Sequence, residues 1–366
     1  MHVLSVVAEM GSGGAEAVVH DLALRMRADG DEVTVASAGG WRADELAVVG
    51  VPTARVPLRD PGPVALLRSA RALRATLRAF APDLVHTHNV RATVAVHASR
   101  LGRRRPPIVT SVHGLADEAY RPAARLLARC SDAVVAVSGD VRDRLVAAGL
   151  PSTAVRVIEN AVPEPRLVPG DPAVDVRREL GVPPGAAVVL SAARLAPPKR
   201  LDLVIDGWAR IPDAHLVVAG DGPDRAALQD RAEGCGAAGR ITFLGDRDDV
   251  GRLLAAADLL VLSSDREGLP MAVLEALAAG VPVVASAVGG LRGLEPGSVE
   301  LVEPGDAVAL ADAVRGLLAD PGRRRRLAAV GRAHVERRYS SSRMADAYRS
   351  LYRSAVGGRE LVVTKP

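Results

Sequence analysis

Two carboxylates, Glu267 and Glu275, bracket a short stretch whose composition reads strand, loop, helix, strand. Leu259 to Leu262 is a continuous apolar run, and so is Val281 to Ala285, as expected of parallel strands covered on both faces. Pro270 stands at a plausible first helical position and Gly280 just past the end, the usual order of the two residues. Glu267 therefore sits in the loop before a helix, and Glu275 about 7 Å beyond Pro270 along its axis at roughly 1.5 Å per residue. Two acids so placed can grip separate parts of one elongated ligand. The N–H groups of Gly268, Leu269 and Met271 lie between them, and helix N-termini attract anions through orphan donors and the macrodipole. A phosphate held between two sets of carboxylate-bound hydroxyls is the chemistry of a nucleotide-sugar. Taken alone, the pair also fits a solvated first-turn charge and a surface residue of an ordinary helix.

The stretch resembles the GT-B glycosyltransferases of the retaining group often called family 4, whose E-x7-E pattern is met by Glu267-GLPMAVL-Glu275. The resemblance implies that Glu267 contacts the donor sugar and Glu275 the ribose hydroxyls. Gly268, Leu269, Pro270 and Met271 would line sugar and phosphate, the amides of Gly268, Leu269 and Met271 donating. Further matches extend along the chain. R-L-x-x-x-K, here Arg194 to Lys199, supplies the family's cations for the diphosphate. G-x-G-P follows at Gly220 to Pro223, and Phe243-Leu244-Gly245 matches the F-L-G whose backbone meets the base. The GGAE of Gly13, Gly14, Ala15 and Glu16 is similar to the family's first loop, which faces the donor across the interdomain cleft. DLVHTH ends at His88, and TSVHG contains His113, the residue that in the family reaches the donor sugar. His86 and His88 either line the acceptor side or are satisfied strand-end histidines. Ala193, Arg200, Ala161 and Gly293 depart from the family, which has glycine, glycine, glycine and an acid near those places.

Length and composition set the frame for these residues. A chain of 366 residues exceeds the size of a single core, so two domains are expected. Hydrophobic residues at 48% and charged residues at 25% describe a globular protein, with no apolar run long enough to span a bilayer. A first strand from Val3 that meets Glu9 and a glycine loop almost at once does not look like a signal peptide. Cys130 and Cys235, far apart, supply no disulfide framework and no cysteine metal site, which points to a reducing, cytoplasmic compartment. The net charge is +4, but aromatics at 2% leave no stacking platforms for single-stranded nucleic acid. Of the 47 basic residues, all but Lys199 and Lys365 are arginine. A lysine kept against that bias suits a site that needs a compact point charge rather than a flat fork.

Strands and helices alternate along most of the chain. Val3 to Ala8, Val33 to Ser37, Leu84 to Thr87, Ile108 to Val112, Ala133 to Val137 and Val155 to Ile158 read as strands of a first doubly wound domain. Polar residues gather at their C-terminal ends, where open α/β sheets bind ligands. A dinucleotide fingerprint at Gly11 fails, because Glu16 falls where a small residue must pack against the strand. His86, His88 and His113 share the spacing of three metal ligands, but no carboxylate or cysteine is spaced to complete a site. Asp246 and Asp248 imitate a metal motif of another glycosyltransferase architecture and are read as helix-capping acids before Val250.

The expected fold class is α/β, two Rossmann-like doubly wound domains facing a cleft, the GT-B architecture. Residues 1–165 form an acceptor-side domain, 166–185 a proline-rich linker and 186–340 the donor domain, with 341–366 a helix crossing back. The expected activity is transfer of a sugar from a nucleotide diphosphate sugar to an unidentified acceptor hydroxyl. The resemblance implies retention, catalysis by Glu267, His113, Arg194 and Lys199, and no cofactor or metal. A nucleotide-sugar epimerase on the same fold and a non-catalytic binding protein are the alternatives. Val64 to Phe80 places Leu66, Ala70, Leu73, Leu77 and Phe80 on one helical face and Arg68, Arg71, Arg74 and Arg78 on the other. The arginines are either solvated or face anionic lipid, a peripheral contact at the inner membrane face.

Overall fold

The structure is a computed structural model that describes residues 1–100, 105–162, 172–183 and 185–358. The chain divides into two units, Met1–Ala161 with the C-terminal segment from Ser341, and Val162–Ser340. Each is a parallel sheet flanked by helices, as the alternating apolar runs predict.

The first unit contains β1 (His2–Val6), β2 (Glu32–Ser37), β3 (Thr53–Arg55), β4 (Leu84–Thr87), β5 (Ile108–Val112), β6 (Ala133–Ala136) and β7 (Val155–Val157). Their spatial order is β3-β2-β1-β4-β5-β6-β7, all parallel, with Val3 opposite both Val33 and Leu84. The strand order reverses between β1 and β4, so the loops that leave those two strands diverge and open a crevice. Leu4, Val6, Val85 and Ile108 are fully buried beneath helices, which is why these strands are apolar on both faces.

Helix Pro63–Phe80 packs on this sheet through Leu73, with Leu66 and Leu77 beside it, while Arg68, Arg71 and Arg78 face solvent. Helix Ser341–Val356 buries Met344, Ala345, Tyr348, Leu351 and Tyr352 at helical spacing against helix Gly14–Ala28 and β4. Arg349 fastens it from the rim, donating to Asp29 (2.6 Å) and Asp31 (2.9 Å).

The second unit contains β8 (Ala187–Ala192), β9 (Ala214–Ala219), β10 (Ile241–Gly245), β11 (Leu259–Leu262), β12 (Val283–Ser286) and β13 (Glu300–Val302). The order is β10-β9-β8-β11-β12-β13, again all parallel, with the reversal between β8 and β11. Trp208, Leu216, Leu259, Val261 and Leu317 are among the buried residues of its core.

The stretch read as a linker is different in structure. Part of it, Pro172–Glu179, is a helix of the second unit that packs on helix Val250–Ala256. Arg177 donates to the Ala256 carbonyl (3.1 Å) and to Asp258 Oδ2 (2.6 Å), ties that a proline-rich texture does not reveal. Residues 163–171 lie outside the described residues.

Candidate active site

In the second unit the reversal of strand order puts the ends of β8 and β11 side by side, and both carry charged loops. The loop from β8 holds Arg194 and is pressed against the end of β9. Leu195 donates to the Asp221 carbonyl (2.9 Å), and a Cβ at Gly220 or Gly222 would overlap the Ala193 or Leu195 carbonyl oxygen. That contact is the reason for glycine at both positions of the GDGP turn. Arg194 itself is exposed and has no carboxylate partner among the described residues.

Lys199 ends a 3-10 turn, Pro197–Lys199, and the α-helix begins at Leu201. The cause is Arg200, which adopts the left-handed conformation at φ 47°. This is the place where the family has glycine, and a side chain there costs about 1–2 kcal/mol. Arg200 offsets it by donating to both Asp202 (3.0 Å) and Asp265 (3.2 Å).

The loop from β11 is stitched to that turn. Asp265 N donates to the Pro198 carbonyl (2.9 Å), and Ser263 Oγ donates to the carbonyls of Lys199 (2.9 Å) and Arg200 (2.7 Å). Lys199 Nζ then reaches Glu267 Oε1 at 2.6 Å, and Ser264 Oγ donates to the same oxygen at 2.6 Å. The Glu267 side chain is only 8% exposed and Lys199 is 28% exposed, so the pair is partly shielded from solvent. On the far side, Gly290 N donates to the Gly268 carbonyl (2.9 Å), and a Cβ at Gly289 would overlap the Glu267 carbonyl. Glu267 is thus gripped from both flanks.

The following helix is Met271–Ala278. Pro270 is its N-cap, extended at ψ 126°, rather than its first helical residue. The first helical hydrogen bond runs from Leu274 N to the Pro270 carbonyl (3.3 Å), so the amides of Met271, Ala272 and Val273 precede the ladder. Leu269 and Met271 bury their side chains, at 4% and 6% exposure, which anchors the backbone that carries those amides. Glu275 is half-buried in the second turn. Gly245 closes β10 and accepts from Gly220 N (2.7 Å), placing it at the same edge of the sheet. The acids before Val250 do not cap that helix. Asp249 is the N-cap position but makes no capping bond, because its carboxylate accepts from Arg247 Nε and Nη2, both at 2.7 Å. Those bonds hold the Asp249 carboxyl below its ordinary range.

The structure therefore brings Arg194, Lys199, Gly245, Glu267, Gly268, Leu269, Pro270, Met271 and Glu275 to one edge of one sheet. Ser263, Ser264 and Gly289 belong with them and were not foreseen. The S-x-x-E spacing of Ser264 and Glu267, familiar from capping boxes, was the available signal.

Gly13, Gly14 and His113 belong to the first unit. Gly13 is the N-cap of helix Gly14–Ala28 after β1, and His113 follows β5. The strand-end histidines form a buried chain. His86 bonds Ser111 Oγ (2.8 Å) through Nε2 and Tyr352 OH (2.7 Å) through Nδ1. His88 bonds Ser5 Oγ (3.1 Å) and the His113 Nε2 (3.4 Å), and Tyr348 OH joins Ser111 Oγ (2.9 Å). Both ring nitrogens of His86 and of His88 have protein partners, so these two are satisfied strand-end residues. Burial first, then neighbouring histidines, pushes His86 down to about 3 and His88 well below the ordinary range. His113 keeps part of its ring at the surface, but its Nδ1 is shielded and without a partner among the described residues. Its pKa is lowered to about 4 by burial, so the imidazole is neutral near pH 7.

Similarity to known proteins covers both units. The model of Glycosyltransferase Family 4 matches residues 12–166, and that of Glycosyl transferases group 1 matches residues 175–334. The 2-deoxystreptamine N-acetyl-D-glucosaminyltransferase of Streptomyces fradiae is 32% identical over 336 residues, 83% of this chain and 78% of that protein. The N-acetyl-alpha-D-glucosaminyl L-malate synthase of Bacillus anthracis is 28% identical over 283 residues, 74% of each chain. Anabaena HepE in complex with UDP-glucose superposes with a TM-score of 0.86 at 25% identity, covering 97% of this chain and 100% of that one. Two Rossmann-like sheets, the matched motifs and these relatives agree: the chain belongs to the GT-B glycosyltransferases of family 4 and takes a nucleotide-sugar donor.

Proposed function

We propose that the protein moves a sugar from a nucleotide diphosphate sugar to an acceptor hydroxyl with retention of configuration and without a metal ion. The observation that carries the reading is that Arg194, without a carboxylate partner among the described residues, and Lys199, beside Glu267, both lie on the loop from β8 at the strand reversal. Arg194, Lys199 and the amides that open helix Met271–Ala278 would stabilise the charge that a leaving diphosphate gathers, the kind of electrostatic stabilisation that dominates such reactions. The C1–O bond to phosphate breaks, the acceptor oxygen bonds to C1 on the same face, and its proton passes to the departing phosphate oxygen. Glu267 orients the sugar, and Glu275 holds the ribose. On the strength of the resemblance we also assign neutral His113 of the first unit to the donor sugar.

Anabaena HepE is bound to UDP-glucose, and two relatives are named for N-acetylglucosaminyl transfer, so UDP-sugars head the donor panel. Those names favour a transferase over an epimerase or a non-catalytic binder. The setting we propose is cytoplasmic, with peripheral contact to anionic lipid through helix Pro63–Phe80. No helix among the described residues is long and apolar enough to cross a membrane.

The anomeric configuration of the product, read by NMR against that of the donor, tests retention, and a chelator tests metal independence. A product of the donor's configuration and turnover largely intact in EDTA are expected. Inversion, or loss in EDTA restored by Mg²⁺, would contradict the respective half of the proposal.

A further inference from the structure

The two oxygens of Glu267 are treated unequally. Oε1 accepts from Lys199 Nζ and Ser264 Oγ, both at 2.6 Å, whereas Oε2 has no partner among the described residues. The side chain is only 8% exposed, and Oε2 is the oxygen left to face solvent or whatever displaces it. We infer that Ser264 is a positioning residue for Glu267, clamping Oε1 so that Oε2 is presented to the donor sugar. This rests on the nucleotide-sugar reading above.

Ser264 suits that task for three reasons. Its side chain is fully buried, at 0% exposure, and its hydroxyl has the one partner Glu267, so its single proton is committed. Its backbone leaves the fixed end of β11 beside Ser263, whose hydroxyl is tied to the Lys199 and Arg200 carbonyls. A hydroxyl donating to a carboxylate over so short a distance is among the stronger neutral donors. Lys199 cannot serve alone, because it must also meet the diphosphate. When donor arrives and the ammonium shares its protons with phosphate, Ser264 is the tie to Glu267 that the ligand does not compete for. Reacting groups need to be held within about 0.5 Å of their working geometry by such supporting bonds.

The test uses the full chain with Ser264→Ala and Ser264→Cys, the second keeping a side-chain donor at the same place, somewhat larger and much weaker. Affinity for the bare nucleoside diphosphate that binds wild type best, among UDP, GDP and ADP, is measured by calorimetry, and kcat and KM with the matching nucleotide-sugar. The expected result is a fall in kcat of about tenfold or more for Ser264→Ala, the loss of one hydrogen bond to a charged group. Ser264→Cys should fall between, and both should keep nucleoside diphosphate affinity within about twofold, which also shows that they are folded. Unchanged kcat in Ser264→Ala, or a loss of nucleotide affinity that tracks the loss of turnover in both variants, overturns the inference. A wild type that turns over no donor overturns the enzymatic reading, and this inference with it. An active wild type with a fully active Ser264→Ala overturns this inference alone.

Discussion

Glu267 and Glu275 are chemically alike, yet the structure gives them different surroundings. Glu267 is held at one oxygen by Lys199 and Ser264 and by its backbone between two loops, a rigid placement suited to a sugar whose charge and shape change in the reaction. Glu275 rides in the second turn of helix Met271–Ala278, farther from the loop, where a ribose would lie. Glu275→Ala should therefore weaken binding of bare nucleoside diphosphate by about 1.5–3 kcal/mol, one hydrogen bond to a charged group. Glu267→Ala should leave that affinity nearly unchanged and lower turnover. Equal losses of nucleotide affinity in calorimetry would contradict the division. Both acids and Lys199 were legible as candidates in sequence, the acids through the family's E-x7-E pattern and Lys199 through the scarcity of lysine. Ser264 was not, because a serine in a loop is ordinary until its hydroxyl is seen on a buried carboxylate. Arg200 shows the same limit, since its left-handed backbone is set by the turn that it ends.

Among the elements, helix Pro63–Phe80 has a neighbour that the sequence did not connect with it. Helix Val90–Ser99 packs between it and helix Tyr120–Cys130. The second basic helix exposes Arg121, Arg125 and Arg129, and no carboxylate partner is found for these or for Arg68, Arg71, Arg74 and Arg78 among the described residues. Val64 and Leu67 are 61% and 70% exposed on the first helix. Near an anionic surface each arginine contributes about 1 kcal/mol, screened within about 10 Å at 0.1 M salt. Wild type should float with anionic but not neutral vesicles at low salt and be released at high salt. Changing Arg68, Arg71, Arg74 and Arg78 to glutamine should reduce flotation severalfold. Failure of wild type to float on anionic vesicles at low salt would remove the lipid contact and favour a soluble acceptor. Long periodic helices and buried strands were readable because burial on one or both faces writes itself into the apolar pattern. Short elements such as β3, β13 and helix Trp41–Val48 carry too few residues for a period to show.

At the scale of the molecule, the two-sheet plan followed from length and from the alternation of strand and helix. The segment from Ser341, read from the resemblance as a helix crossing back, groups with the first unit and is tied there by Tyr348, Tyr352 and Arg349. What the sequence hid is that the stretch read as a linker holds helix Pro172–Glu179 of the second unit. Strand order was equally hidden, although it is what sets Arg194 and Lys199 beside Glu267. If this cluster drives donor turnover, acceptor-dependent release of nucleoside diphosphate depends on it. A panel of UDP-, GDP- and ADP-sugars, each with pooled candidate acceptors, is incubated with wild type and with Lys199→Ala. Wild type should release nucleoside diphosphate from at least one donor only when acceptor is present. Lys199→Ala should do so about 10² to 10³ times more slowly, the loss typical of removing one preorganised charge-stabilising group. Release that needs no acceptor, or a Lys199→Ala variant as fast as wild type, would contradict the account.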